Sequence, residues 1–322
     1  MSILKTIYVL TLGVLICFTA SRGLGAEDSS LATTKESVRN VVIKDDAALL
    51  DFYRQQSEFT DPGEYAYLYE SLPESLSELC SLIRMQFVNP YVHRNKIPRE
   101  RLMEGSKYPT VELILEGLLS YDASGLVKSR KFEDRLVLIC RENSILLASI
   151  LRHRGIPTRV RSGHATYLIP GRYASHTLCE VWNKDEERWM LVDPSTDMVD
   201  LPEGKFVFAW DSWLMLQSKE VDPSLYAMPG RYSGLVSITG KVYHDCASVL
   251  GSEYTAYQYA PILGQLRKNN DQMTTEDIKL LTQVSKLMQS VNAGRFSQLQ
   301  QIYKENPRIQ VTESFNPSRK RQ

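Results

Sequence analysis

From Cys140 to Arg154 the apolar residues Ile145, Leu146, Leu147, Ile150 and Leu151 recur at helical spacing, and Gly155-Ile156-Pro157 stops the pattern. This predicts a helix over 140–154 with Cys140 in its first turn. Helical spacing also predicts a segment near 45–56, a helix from the Ser71–Pro73 region through Leu76, Leu79, Ile83 and Phe87 to a stop before Pro90, and another over 110–121. Downstream, Phe206 to Leu216 is apolar and aromatic and reads as a packed core helix, and Tyr243, His244 and Cys246 fall in a further helix. In the last third, Ile278, Leu281, Val284, Leu287 and Met288 form an apolar stripe in a helical region over 274–306. That stripe predicts a face packed on the main domain, or alternatively a helix that holds a protein partner.

The strand pattern is concentrated after the 140–154 helix. Runs over 158–169, 175–182 and 188–193 carry β-type residues, and Asn183-Lys184-Asp185-Glu186 reads as a hairpin loop. A four-residue loop there pairs Trp182 with Glu187 and sets His176 opposite Asp193. Alternation places His176, Leu178, Glu180 and Trp182 on one face and Thr177, Cys179 and Val181 on the other. Cys179 is therefore expected behind the site, as a core residue.

These elements assemble a candidate chemistry. A cysteine in the first turn of a helix meets unpaired amides and the positive end of the dipole, both of which favour the nucleophilic thiolate. A carboxylate beside an imidazole fixes its tautomer and stabilises its charged form. Cys140, His176 and Asp193 thus form a candidate nucleophile, base and orienting acid. His164 is the rival base, without an acid paired to it by sequence, and Asp197 and Asp200 are weaker substitutes for Asp193 in an expected loop. Arg152 and His153 suit the end of the helix as structural cations.

Three segments carry a family resemblance: Leu151-Arg152-His153-Arg154-Gly155-Ile156-Pro157-Thr158-Arg159, His176 through Val181, and Trp189-Met190-Leu191-Val192-Asp193-Pro194. With Cys140 ahead of them, this resembles the transglutaminase-like superfamily of cysteine enzymes, strongly over about 135–200 and less specifically over about 45–250. One departure is Ile139, where the family often has glycine before the cysteine. The resemblance implies an α+β fold with a papain-like/transglutaminase-like core, a nucleophile helix packed on an antiparallel sheet, and helical N- and C-terminal regions. It also implies amide or peptide chemistry without choosing between hydrolysis and transfer to an amine. A longer Cys-to-His separation is expected of papain-like proteases themselves.

Composition narrows the classes. The 322 residues are 43% hydrophobic and 24% charged, with Lys plus Arg and Asp plus Glu at 38 each, so no charge excess points to nucleic acid. Neither a phosphate loop nor a C-x-x-C or H-E-x-x-H pattern is present, so neither cofactor nor metal is expected. Lys5, the apolar run from Ile7 to Ala20 and Leu24-Gly25-Ala26 read as a signal peptide cleaved after Ala26, giving a secreted or periplasmic protein without a membrane span; an uncleaved anchor is the alternative. Beyond that segment, Cys80 and Cys246 could form a disulfide or stay as buried thiols.

The expected organisation is a signal peptide (1–26), a flexible lead-in (27–44), a transglutaminase-like domain (45–265) with a helical half (45–139) and a catalytic core (140–200), and a C-terminal helical region with a basic tail (266–322). The expected function is amide-bond chemistry on a protein or peptide substrate through a thioester acyl-enzyme, with hydrolysis favoured because an open site meets water more often than a chosen amine. The alternative is an inactive binding or scaffold protein on the same fold.

Overall fold

Side-chain caps written into the sequence start five of the helices. Asp45, Ser75, Thr110, Thr274 and Asn292 each accept a hydrogen bond from the backbone N–H three residues on. Each such cap stabilises its helix by about 1 kcal/mol. The computed structural model describes residues 40–228, 232–269 and 272–314. The expected signal peptide, most of the lead-in and the basic tail at 317–321 lie outside the described residues.

In chain order the elements are α1 (Asp46–Arg54), α2 (Leu76–Arg84), β1 (Phe87–Val88), α3 (Val111–Tyr121), β2 (Leu136–Val137), α4 (Cys140–His153), β3 (Thr158–Ala165), β4 (Tyr173–Asn183), β5 (Arg188–Asp193), β6 (Met198–Val199), β7 (Phe206–Phe208), α5 (Ala209–Gln217), β8 (Tyr226–Met228), β9 (Tyr232–Ser233), α6 (Gly234–Val249), β10 (Gln258–Tyr259), α7 (Pro261–Lys268), α8 (Thr275–Met288), α9 (Ala293–Glu305) and β11 (Glu313–Ser314). The main sheet runs β6-β5-β4-β3-β7 with antiparallel neighbours, and β8 adds to β4 in parallel and carries β9. The fold is thus α+β, with the expected antiparallel sheet behind the Cys140 helix.

Two apolar cores flank this arrangement. In one, Leu79, Ile114, Leu118, Leu146 and Ile150 from α2, α3 and α4 meet Val160, Val181 and Val192 of the sheet. In the other, Trp213, Val242 and Cys246 of α5 and α6 meet Leu281, Val284 and Met288 of α8 and Phe296 and Leu299 of α9. The apolar stripe of α8 is therefore turned inward, and Trp213 Nε1 donates to Thr282 Oγ1 at 3.0 Å across the same contact. Cys80 lies in the first core and Cys246 in the second; both are buried free thiols, so no disulfide joins them.

Three sequence expectations are corrected. The helix expected from the Ser71 region to Pro90 starts at its Ser75 cap and ends at Arg84, and Phe87 pairs with Leu136 in a short parallel ladder. Gln86 causes the break. Its buried side-chain amide donates to the carbonyls of Leu82, Leu126 and Lys128, and its own carbonyl accepts from Leu136. The segment from Phe206 opens as β7 and becomes helical only at Ala209. Finally, the hairpin loop is 184–187, not 183–186. Asn183 Oδ1 accepts from the backbone of Asp185 and Glu186, and Glu187 takes up φ 49°, so Asn183 closes the strand and pairs with Arg188. The register is two residues from the one expected, with Trp182 opposite Trp189. A shift of two preserves which face each side chain takes.

Candidate active site

Helix α4 brings Cys140 to the sheet with its amide free. Ile139 precedes it with φ −114° and ψ −172°, an extended conformation open to any residue. The glycine departure therefore imposes no backbone strain. Glu142 reaches back to accept from Ile139 N at 3.1 Å, and Asn143 Nδ2 donates to Ile139 O at 2.9 Å. Ser144 Oγ shares its one hydrogen between Cys140 O at 2.9 Å and Thr177 O at 3.1 Å, tying this first turn to β4. The outcome is a half-buried thiol at a rigid helix start.

His176 and Asp193 come together through the shifted register. Asp193 is displaced diagonally along the hairpin from His176 but on the same face, and His176 Nε2 lies 2.8 Å from Asp193 Oδ2. The other ring nitrogen is left for the thiol, and Cys140 and His176 act on each other electrostatically. Tyr167 Oη donates to Asp193 Oδ2 at 2.6 Å, Thr196 Oγ1 donates to the same oxygen at 2.8 Å, and Ser195 N donates to Oδ1 at 2.9 Å. The carboxylate is fully buried and its position is set by these contacts. Sequence reasoning missed both hydroxyls: Tyr167 was read only as part of a strand, and Thr196 has no motif of its own.

The charges reinforce one another. Burial alone would lower the basicity of His176, but the neighbouring Asp193 carboxylate and Cys140 sulfur push it up to about 10. Burial alone would raise the Cys140 thiol, but the His176 charge and Lys241 bring it below its ordinary value. Asp193, despite burial, is held well below the usual carboxylate range by His176 and by its hydroxyl donors. The arrangement favours a thiolate–imidazolium pair at neutral pH.

A cavity of about 580 Å³ opens at this point, lined by Cys140, His176, Thr177 and Ile139 together with Lys241 and His244 of α6. The other candidates lie elsewhere or are engaged. His164 is buried between α5 and α6, bonded through Nδ1 to Ser212 at 2.9 Å, and burial drives it towards its neutral form. Asp197 pairs with Arg84 and Asp200 with Arg188. Arg152 is buried on Glu253, and the His153 ring packs edge-on against Tyr69. Cys179 is buried behind the site, with Sγ donating to Ser144 O at 3.2 Å. Among the described residues no group of three or more His, Cys, Asp or Glu side chains is placed to hold a metal ion, and no helix is long and apolar enough to cross a membrane.

Residues 121–194, from the end of α3 through Pro194, match the family model of the transglutaminase-like superfamily. Over that stretch the chain is similar to the transglutaminase-like core. That stretch spans α4 and the β3–β5 sheet, and so contains Cys140, His176 and Asp193. A candidate cysteine protease from Cytophaga hutchinsonii, solved by crystallography, is similar over 53% of this chain at 15% identity and a TM-score of 0.33. The match spans about half, 49%, of that protein's length. No curated protein matches this chain. The transglutaminase-like core and its surroundings support cysteine-based catalysis in general.

Proposed function

We propose that this protein breaks amide bonds of protein or peptide substrates through a thioester on Cys140. The observation that carries this reading is the hydrogen-bonded pair of His176 and buried Asp193, with His176 and Cys140 together in the wall of an open cavity. The Cys140 thiolate attacks the amide carbonyl, and the free Cys140 amide is positioned to donate to the oxygen as it gains charge. The C–N bond then breaks and the imidazolium of His176 delivers its proton to the departing amine. Neutral His176 next takes a proton from water, the hydroxide attacks the thioester, and the acid leaves as the C–S bond breaks. Asp193 stabilises the imidazolium at each stage without itself taking the proton.

Hydrolysis is the favoured outcome because the cavity beside Cys140 is open to water. An amine entering in place of water would give a new amide. The test is incubation of a complex peptide pool with the wild-type protein and with Cys140→Ala, with and without an added primary amine, read by mass spectrometry. The expected result is products that gain one water per bond cleaved, dependent on Cys140. Products carrying the amine in preference to water would assign transfer instead. Identical product sets from wild type and Cys140→Ala would overturn the reading.

A further inference from the structure

Helix α6 brings a cation to the cavity that the proposed mechanism does not use. Lys241 is 8% exposed, lies in the cavity wall with Cys140, and spends one N–H on Thr177 Oγ1 at 3.2 Å. An ammonium group has three donors, so two remain. The usual helical partner, an acid four residues on, is present as Asp245 but is committed elsewhere. Its two oxygens accept from Arg161 Nε and Nη2 at 3.0 and 2.8 Å, and Oδ1 accepts from Ser162 N as well. No carboxylate among the described residues forms an ion pair with Lys241. A buried, unpaired ammonium is unfavourable in a protein interior and calls for an anion.

The rest of the cavity points the same way. Glu253 is a carboxylate in its wall, and both its oxygens are taken, by Ser57 and by Arg152. Arg135, also in the wall, has only a backbone carbonyl as its hydrogen-bond acceptor. Apart from the Cys140 thiolate, which His176 faces, the lining therefore offers positive charge without an ion-paired carboxylate at Lys241 and Arg135 and no unmatched carboxylate. Lys241 and Cys140 are also close enough to act on each other electrostatically.

We infer that Lys241 is the anchor of a carboxylate-binding subsite beside the nucleophile, and that the preferred amide substrate carries an anionic carboxylate next to the bond attacked. This rests on Cys140 being the nucleophile of an amide-cleaving enzyme. The carboxylate can come from an acidic side chain or from a free C-terminus; the chemistry is the same. Lys241 holds the substrate anion while His176 and Asp193 handle the proton.

The test needs no knowledge of the natural substrate. Cys140 is alkylated in the full-length protein by iodoacetate, which carries a carboxylate, and by iodoacetamide, its neutral counterpart. Loss of Lys241 changes thiolate content equally for both reagents, so the ratio of the two rates isolates carboxylate recognition. Lys241→Met is expected to lower the iodoacetate-to-iodoacetamide ratio about tenfold or more, and Lys241→Arg to retain most of it. An unchanged ratio in Lys241→Met overturns the subsite. If Lys241→Met does not fold, protection of wild-type Cys140 against iodoacetamide decides. N-acetylglutamate α-amide tests the side-chain source, N-acetylglutamine the terminal source, and N-acetylglutamine amide is the neutral control. Protection by either acid above the control supports the subsite and names the source; protection by neither overturns it. A rate indifferent to His176→Ala would defeat the nucleophile reading while leaving the ratio to judge the subsite separately.

Discussion

Asp193→Asn is expected to slow amide cleavage about 10³-fold or more, with the fold intact. The substitution keeps the shape of the side chain and removes its charge. An asparagine can keep its oxygen towards His176, Tyr167 and Thr196, which all meet Oδ2, at the cost of the one hydrogen bond that Ser195 N donates to Oδ1. What is lost is the counter-charge that keeps His176 protonated, the leading upward influence on that imidazole. The thiolate–imidazolium pair then collapses towards neutral thiol and neutral imidazole, and loss of the orienting acid in a triad commonly costs about 10⁴ in rate. Steady-state kinetics on a cleaved peptide check this. A rate within about tenfold of wild type would mean that Tyr167 and Thr196 alone orient the imidazole well enough.

The second large effect concerns the buried charges that hold α6 against the sheet. Arg159 and Arg161 of β3 both bond Glu180 of β4, and Arg161 also forms a two-pronged pair with Asp245 of α6. The four charges balance. Their side chains are almost wholly excluded from solvent, and the Arg161 guanidinium lies 4.6 Å from the centre of the Phe208 ring. Asp245→Ala leaves Arg161 with one shared carboxylate and leaves Ser162 N without its acceptor. Breaking a buried pair from one side costs about 3–5 kcal/mol. Denaturant unfolding of Asp245→Ala should show a loss in that range, with a smaller loss in the Asp245→Leu/Arg161→Met double variant, which removes both charges together. Equal losses in the single and double variants would mean the network contributes packing and little charge pairing.

The helix with Cys140 at its start was legible because its apolar stripe is long and Gly155-Ile156-Pro157 ends it. The Cys140–His176–Asp193 constellation was legible from order and strand alternation, even though the register was two residues out. Alternation has period two, so that error left the faces unchanged and turned an opposite pair into a diagonal one that the side chains still bridge. Gln86 could not be read in the same way: its role depends on carbonyls of residues 126 and 128, brought near only by the fold. Lys241 was hidden by its own helix. The spacing to Asp245 suggests an ordinary surface pair, and only the structure shows Asp245 turned to Arg161 and Lys241 left in the cavity wall. The Tyr167 hydroxyl, 26 positions from Asp193, is brought to it only by the fold, whereas Thr196, three positions on, was within local reach and lacked only a motif to mark it.

The central claim is that Cys140 is a thiolate paired with a protonated His176, and the most direct measurement is the pH dependence of Cys140 alkylation by iodoacetamide, read by peptide mass, in wild type and His176→Ala. The sign follows from the two shifts. Cys140 loses its proton below its ordinary value, and His176 keeps its own until about 10, so the ion pair persists between those limits. Wild-type labelling should already be fast at pH 6 and nearly level up to about pH 8. In His176→Ala the leading influence against burial is gone and only Lys241 remains, so labelling should be slow at pH 6 and rise only above about pH 8. A wild-type rate that climbs about tenfold per pH unit from 6 to 8, or one unchanged in His176→Ala, would contradict the account and leave Cys140 an ordinary thiol.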